Sequence, residues 1–188
     1  MNIFVPIAAI IAYLIGAIPL GYLIAQLKGI ADIRAHGSGN IGATNVSRFL
    51  GMHYFFIIFF LDAGKAFFFI QLIKPYFDFS YLCIFAGILL FGNGCSLFLR
   101  GGGGKGVATL CGLVASLYPM TIVILLGIWA LLLIISHTVG IASVGAAFCL
   151  PFYAYTTDNN AFFLFSLFAA AWIIHTHRPN IQAYWASR

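Results

Sequence analysis

The sequence predicts an all-α, polytopic membrane protein of about seven helices, and three observations lead there. Of 188 residues, 63% are hydrophobic and only 7% charged, against roughly 25% charged in an average soluble domain. Apolar runs long enough to cross about 30 Å of hydrocarbon, at about 1.5 Å per residue, recur along the chain. The nine Lys and Arg residues fall mostly in short stretches between those runs, which fits the positive-inside rule better than a nucleic-acid footprint. No short alternating apolar and polar segments of the β-barrel kind are visible.

The runs place helices near 3–26, 49–73, 79–99, 106–118, 120–135, 139–156 and 161–176. Residues 106–135 form one kinked span or two short ones, depending on Tyr118-Pro119. Proline removes a helical hydrogen bond and pushes its predecessor toward extended geometry, so a break is expected. Loop charge supports the break. With two spans there, Lys28, Arg34, Arg48, Arg100, Lys105, Arg178 and Arg188 share one side, and the other keeps only Lys74 beside Asp78 and Asp158. Residues 1–188 read as a single integral membrane domain without linker or repeat. Met1–Ala25 has no basic start before its apolar run, and the first cation is Lys28. No cleaved signal peptide is therefore expected, and the first loop is expected in the cytoplasm of a bacterial inner membrane. Cys83, Cys95, Cys111 and Cys149 stand singly in apolar surroundings, as packing residues rather than a metal or disulfide framework.

Three polar stretches could carry chemistry, and parity puts all of them on one membrane face. His36–Arg48 is rich in glycine, which lets backbone N–H groups approach an anion. Ser38, Asn40, Thr44 and Asn45 add neutral donors, and Arg48 adds a planar fork suited to phosphate. The ordinary alternative is a glycine-rich connection with a juxtamembrane arginine. Arg100–Thr109 resembles a P-loop superficially, but Leu99 and Gly106 stand where that pattern needs glycine and a hydroxyl residue. It remains a candidate phosphate cradle or a flexible hinge. In the third stretch, His175 and His177 are two apart and share no helix face, so a metal pair is disfavoured. They and Arg178 also complement a helix C-terminal dipole. Asp62 and Lys65, three apart inside an apolar run, are expected to neutralise one another. The chain has four acidic residues, all Asp, and no GxSxG elbow. A paired-carboxylate hydrolase and a serine triad are both poorly supported.

Ser38-Gly39-Asn40-Ile41-Gly42-Ala43-Thr44-Asn45, Gly103-Gly104-Lys105-Gly106-Val107-Ala108-Thr109 and His177-Arg178-Pro179-Asn180-Ile181 resemble the three motifs of the PlsY-type acyl-phosphate:glycerol-3-phosphate acyltransferase family, in order and across nearly the whole chain. The resemblance implies a seven-helix inner-membrane protein with cytoplasmic motifs. It also implies acyl transfer from acyl phosphate to glycerol 3-phosphate in phospholipid synthesis, with neither metal nor organic cofactor. Matched by motif, Ser38, Asn40, Arg48, His177 and Asn180 correspond to catalytic positions. Gly39, Thr44, Asn45, Gly103, Gly104, Lys105, Gly106, Thr109 and Ser143 correspond to substrate-binding positions. The implied partners are the two substrates and the bilayer, with the upstream enzyme that forms acyl phosphate as a candidate contact and no nucleic acid. The chain departs from the family pattern at Asn93, Ser96, His137, Thr138, Gly140, Ala66 and Ala183. The rival reading is a membrane transporter or binding protein for a phosphorylated compound, using the same cradles.

Overall fold

A computed structural model describes residues 3–186. Arg188, counted above among the tail cations, lies outside the described residues. The helices are α1 (Phe4–Ala17), α2 (Leu20–Leu27), α3 (Ala43–Leu50), α4 (Met52–Ile73), α5 (Phe79–Gly94), α6 (Val107–Leu117), α7 (Pro119–Ser136), α8 (Val139–Tyr155), α9 (Asn160–Thr176) and α10 (Arg178–Ala186). Single 3-10 turns follow or join them at Ile33–Ala35, Lys74–Tyr76 and Leu97–Leu99. The chain breaks at Tyr118, as Pro119 demands: Tyr118 is extended and Pro119 opens α7, where its missing N–H costs nothing. Asn159 caps α9 by accepting the Phe162 N–H at 3.0 Å.

Seven apolar segments follow one another in the expected order, but they differ in reach. Phe4–Leu27, Met52–Tyr76, Phe79–Leu99 and Pro119–Ser136 are long and apolar enough to span a membrane, and α9 joins them if it is counted with α10. Length and apolarity thus account for four or five spans, not for all seven. At 11 residues, α6 rises only about 16 Å, half the hydrocarbon thickness. Three further differences from the sequence reading have local causes. The first run is broken at Pro19 into α1 and α2. The first loop holds the short helix α3. The chain after Thr176 is helical again as α10, bent by 53° from α9.

Many large apolar side chains face outward, among them Phe60, Phe68, Leu72, Ile134 and Phe152. In an integral membrane protein that surface meets lipid. Between helices, small residues permit close approach. A Cβ on Gly16 would lie 2.1 Å from the Leu89 carbonyl oxygen, where α1 crosses α5. One on Gly112 would lie 2.0 Å from that of Ala63, where α6 crosses α4. The main core joins Phe85, Leu89, Leu90, Leu113, Leu150, Phe162 and Ile173. A second, smaller core of Ala25, Ile33, Ile41, Ala43, Val46, Ile58 and Leu99 lies under the polar loops.

The break at Pro19 takes the carbonyls of residues 16–18 out of the regular helical ladder, with Ile18 O accepting the Leu20 N–H at 3.1 Å, and an unsatisfied carbonyl at membrane depth is costly. Lys65 Nζ donates to Gly16 O at 3.1 Å and to Ile18 O at 2.8 Å. Ser96 Oγ donates to the one between, Ala17 O, at 2.6 Å. Lys65 also lies 2.7 Å from Asp62 Oδ1, a charge contact off the hydrogen-bonding direction. The pair is therefore more than mutual neutralisation, because it ties the bent first segment to α4. The bend swings α2 across the first polar loop, where a Cβ on Gly21 would lie 2.0 Å from the Ile41 carbonyl oxygen.

Lys65→Met leaves the Gly16 carbonyl and the Asp62 carboxylate without their partner and the Ile18 carbonyl with the Leu20 N–H alone. Breaking a buried pair on one side costs on the order of 3–5 kcal/mol, a drop of roughly 6–20 °C in melting temperature for a chain of this size. Thermal unfolding in detergent is expected to show that loss, with partial recovery when Asp62→Asn is added. An unchanged melting temperature for Lys65→Met would contradict the role of the knot.

Candidate functional site

Ser38 is carried between two glycines in left-handed conformation, Gly37 at φ +59° and Gly39 at φ +70°, a backbone that residues with a Cβ rarely adopt. The loop is fastened by one buried side chain. Asn45 Oδ1 accepts the Ser38 N–H at 3.0 Å, and its Nδ2 donates to His36 O at 3.0 Å and Asn40 O at 2.8 Å. Asn40 Oδ1 accepts the Gly42 N–H at 2.8 Å and so shapes the entry to α3. Within α3, Thr44 and Arg48 are four apart and share a face. The only acid of this loop, Asp32, pairs with Arg34 at 2.7 Å on the exposed side.

The second loop is closed on itself and on α5. Gly101 N–H donates to Ser96 O at 2.8 Å, Ser96 N–H to Gly102 O at 3.2 Å, and Gly104 N–H to Asn93 O at 2.9 Å. Leu99 drops into the small core beside Ile41 and Val46 and so joins the two loops. Lys105 is held at both ends: its carbonyl accepts the Thr176 hydroxyl at 3.1 Å, and its Nζ donates to Asn180 Oδ1. Gly106 then caps α6, whose first-turn N–H groups from Val107 onward have no helical acceptor.

The third motif straddles the bend between α9 and α10. His177 is buried, and its Nδ1 lies 2.8 Å from Ile173 O. A carbonyl only accepts, so in the neutral ring Nδ1 carries the proton and Nε2 is an acceptor. Burial, reinforced by the Lys105 charge, pulls the imidazole from 6.5 down to about 4, although the Ile173 hydrogen bond opposes the shift. Burial and the Arg48 charge likewise hold the Lys105 amine below the usual lysine range.

These elements enclose one cavity of about 700 Å³. Ser38, Asn40, Thr44, Asn45 and Arg48 line it from the first motif, Gly104, Lys105, Gly106 and Thr109 from the second, and His177 and Asn180 from the third, with Ser143 on α8. Neither Arg48 nor Lys105 has an acidic partner, because the two ion pairs among the described residues are Arg34–Asp32 and Lys65–Asp62. Two unpaired cations beside buried N–H groups make an anion site. The opposite arm of the cavity is apolar, walled by Phe55, Phe56, Phe59 and Phe60 of α4 and by Ile122, Leu125, Leu126 and Trp129 of α7. Phe56, Phe60 and Leu126 are also exposed on the outer surface, so this arm opens sideways toward lipid. Among the described residues no three His, Cys, Asp or Glu side chains converge as a metal cluster would.

Several sequence-predicted residues are in place for reasons other than ligand contact. Gly39 and Gly103 do not line the cavity. Gly39 supplies a left-handed turn, and a Cβ on Gly103 would press within 2.3 Å of Asn93 O. Asn45 lines the cavity with its amide fully engaged by the loop. The Ser143 hydroxyl donates to Val139 O at 2.9 Å and accepts the Trp129 indole N–H at 3.2 Å, bridging α7 and α8. At Gly140 the space of a side chain is filled by Asn180, whose Nδ2 would lie 2.7 Å from an added Cβ. The apolar arm, Asn93, His137 and Asp62 were not read as site residues. The only sequence signal for the arm is the paired spacing Phe55/Phe59 and Phe56/Phe60, which a lipid-facing helix shows equally.

The family model described as glycerol-3-phosphate acyltransferase matches residues 6–187. A protein of that name from Thermosipho melanesiensis is 36% identical over 173 residues, 92% of this chain and 84% of its own. Another from Thermosynechococcus vestitus is 37% identical, over 93% of this chain and 88% of its own. Among solved structures, the glycerol 3-phosphate form of PlsY, an integral membrane glycerol 3-phosphate acyltransferase, superposes with a TM-score of 0.92 at 32% identity, over 98% of this chain and 93% of that one. Its lysophosphatidic acid form gives 0.90 at 31%.

With its folded-state pKa below the unfolded value of 6.5, His177 binds its proton more readily in the unfolded chain. Its contribution to stability is therefore complete above about pH 6.5 and declines toward about pH 4, by on the order of 3 kcal/mol in all. Imidazole NMR of ligand-free protein is expected to show the His177 ring neutral, with the proton on Nδ1, from about pH 8 down to about pH 5. A midpoint near 6.5 would contradict this environment.

Proposed function

The chain belongs to the glycerol-3-phosphate acyltransferase family, and from that premise we propose that it moves a fatty acyl group from acyl phosphate to glycerol 3-phosphate. The products are 1-acyl-glycerol 3-phosphate and inorganic phosphate. One observation carries the proposal: Arg48 and Lys105, without acidic partners, sit at the polar end of a cavity whose other arm is apolar and open to lipid. An acyl phosphate has that same division, an anionic head on an alkyl chain, and glycerol 3-phosphate needs only the polar end. Coenzyme A would bring a large polar nucleotide for which a cavity of about 700 Å³ leaves little room beside an acceptor.

In the proposed step the primary hydroxyl oxygen of glycerol 3-phosphate bonds to the acyl carbon. The bond from that carbon to the bridging phosphate oxygen breaks, and its electron pair leaves with phosphate. Arg48, Lys105 and the N–H groups at the start of α6 stabilise the developing negative charge, and the cavity walls hold both substrates in register. Asn180 receives Lys105 and fixes the ammonium. The Ser38 hydroxyl, on its fastened loop, supplies a further donor at the polar end. His177 offers Nε2 as an acceptor that orients the attacking hydroxyl. Burial holds its basicity below that of a free imidazole, whereas the departing phosphate oxygen gains the electron pair of the broken bond. The hydroxyl proton therefore passes to the departing phosphate.

The polar end is assigned to the cytoplasmic face of a bacterial inner membrane, in keeping with the cations Lys28, Arg34, Arg48, Arg100, Lys105 and Arg178 gathered there. The test is a donor comparison. Purified protein given glycerol 3-phosphate is expected to release phosphate and form lysophosphatidate with acyl phosphate, and to form none with acyl-coenzyme A. Transfer from the thioester at an equal or greater rate would overturn the donor assignment.

A further inference from the structure

Asn93 closes the last turn of α5, is 94% buried and lines the cavity. Its backbone and side chain do different things. The backbone carbonyl receives the Gly104 N–H at 2.9 Å and so anchors the second loop. The carboxamide lies flat against that loop: a Cβ on Gly104 would meet its Oδ1 at 3.0 Å and its Nδ2 at 3.6 Å, and one on Gly106 would meet Oδ1 at 3.8 Å. Yet this carboxamide makes no hydrogen bond to any described residue. Buried polar side chains are nearly always paired. Asn45, Ser143 and Ser96, buried polar side chains around the same loops, have partners, and the buried Thr109 hydroxyl on the same cavity is without one.

The chemistry of an unpaired carboxamide narrows what it faces. It offers a donor and an acceptor and no charge. A phosphate only accepts and already has Arg48, Lys105 and the start of α6. An aliphatic chain has nothing to offer it. A hydroxyl both donates and accepts. The carboxamide borders the cradle Gly104-Lys105-Gly106, so a phosphate held there would bring the carbon next to the phosphorylated one toward Asn93. In glycerol 3-phosphate that carbon bears the secondary hydroxyl, which does not react. We propose that Asn93 is a specificity-determining residue that hydrogen-bonds the acceptor's secondary hydroxyl, so that the site takes a phosphorylated polyol rather than any phosphorylated primary alcohol. This inference rests on the acyltransferase reading.

The experiment compares glycerol 3-phosphate with propane-1,3-diol monophosphate, which keeps the reacting hydroxyl and the phosphate and lacks only the secondary hydroxyl. With acyl phosphate as donor, the wild-type protein is expected to favour glycerol 3-phosphate about tenfold or more in kcat/KM. Asn93→Ala should lose that preference by slowing on glycerol 3-phosphate alone, and its retained rate on the diol phosphate shows that the variant is folded. A preference that survives in Asn93→Ala, or a fall by one common factor on both acceptors, would overturn the proposal. A wild-type protein that acylates neither acceptor would instead strike the acyltransferase reading beneath it.

Discussion

The repulsion between Arg48 and Lys105 is the interaction around which the site is arranged. Both line one cavity without an acidic partner, and the chain holds each from behind. Arg48 stands on α3, whose entry is fastened through Asn40 and Asn45. Lys105 is clamped between Thr176 on its carbonyl and Asn180 on its ammonium. The chain could have neutralised them with an acid, but Asp62, the Asp that lines the cavity, is paired with Lys65. What remains is a fixed excess of positive potential where charge would develop during acyl transfer, with little reorganisation needed.

Holding that arrangement at the edge of a membrane requires polar groups whose work is structural. Lys65 and Ser96 satisfy the carbonyls that Pro19 frees, and the resulting bend brings α2 over the first loop. Leu99 and Ile41 then pack in one small core, which joins the two glycine-rich loops. The Trp129–Ser143 bond ties α7 to α8 beside the apolar arm. Each contact joins residues distant in sequence, and each leaves the cavity a little more rigid.

Composition and loop charge made the fold class legible, because few chains so poor in charge can be anything but membrane-embedded. The break at Tyr118-Pro119 was legible for the same local reason that made Pro19 invisible. Pro119 stands between two apolar runs, whereas Pro19 sits near the end of one, and the carbonyls it frees are answered by Lys65, 47 residues away from Ile18. The meeting of the three motifs followed from parity, and the cavity collects them. Individual roles were harder to read, since a motif gives residue identity and not direction. Asn45 looks like a ligand donor in sequence and is a loop staple in space. Asn93 stands out in sequence as a departure from the family pattern, and in space its carboxamide lies on the cavity without a partner. The apolar arm left no sequence signature, because aromatic residues that line a groove and those that meet lipid follow the same helical spacing.

The central claim is that the site selects a phosphate through two unpaired cations, and the protonation state of the bound ligand reports on it directly. Free phosphate monoesters take up their second proton near pH 6. In ³¹P NMR of glycerol 3-phosphate bound to the detergent-solubilised protein, the account predicts a phosphate that stays dianionic well below pH 6, and an Arg48→Gln variant that returns the midpoint toward the free value. A bound phosphate titrating at or above the free value would show that the two cations do not govern the site.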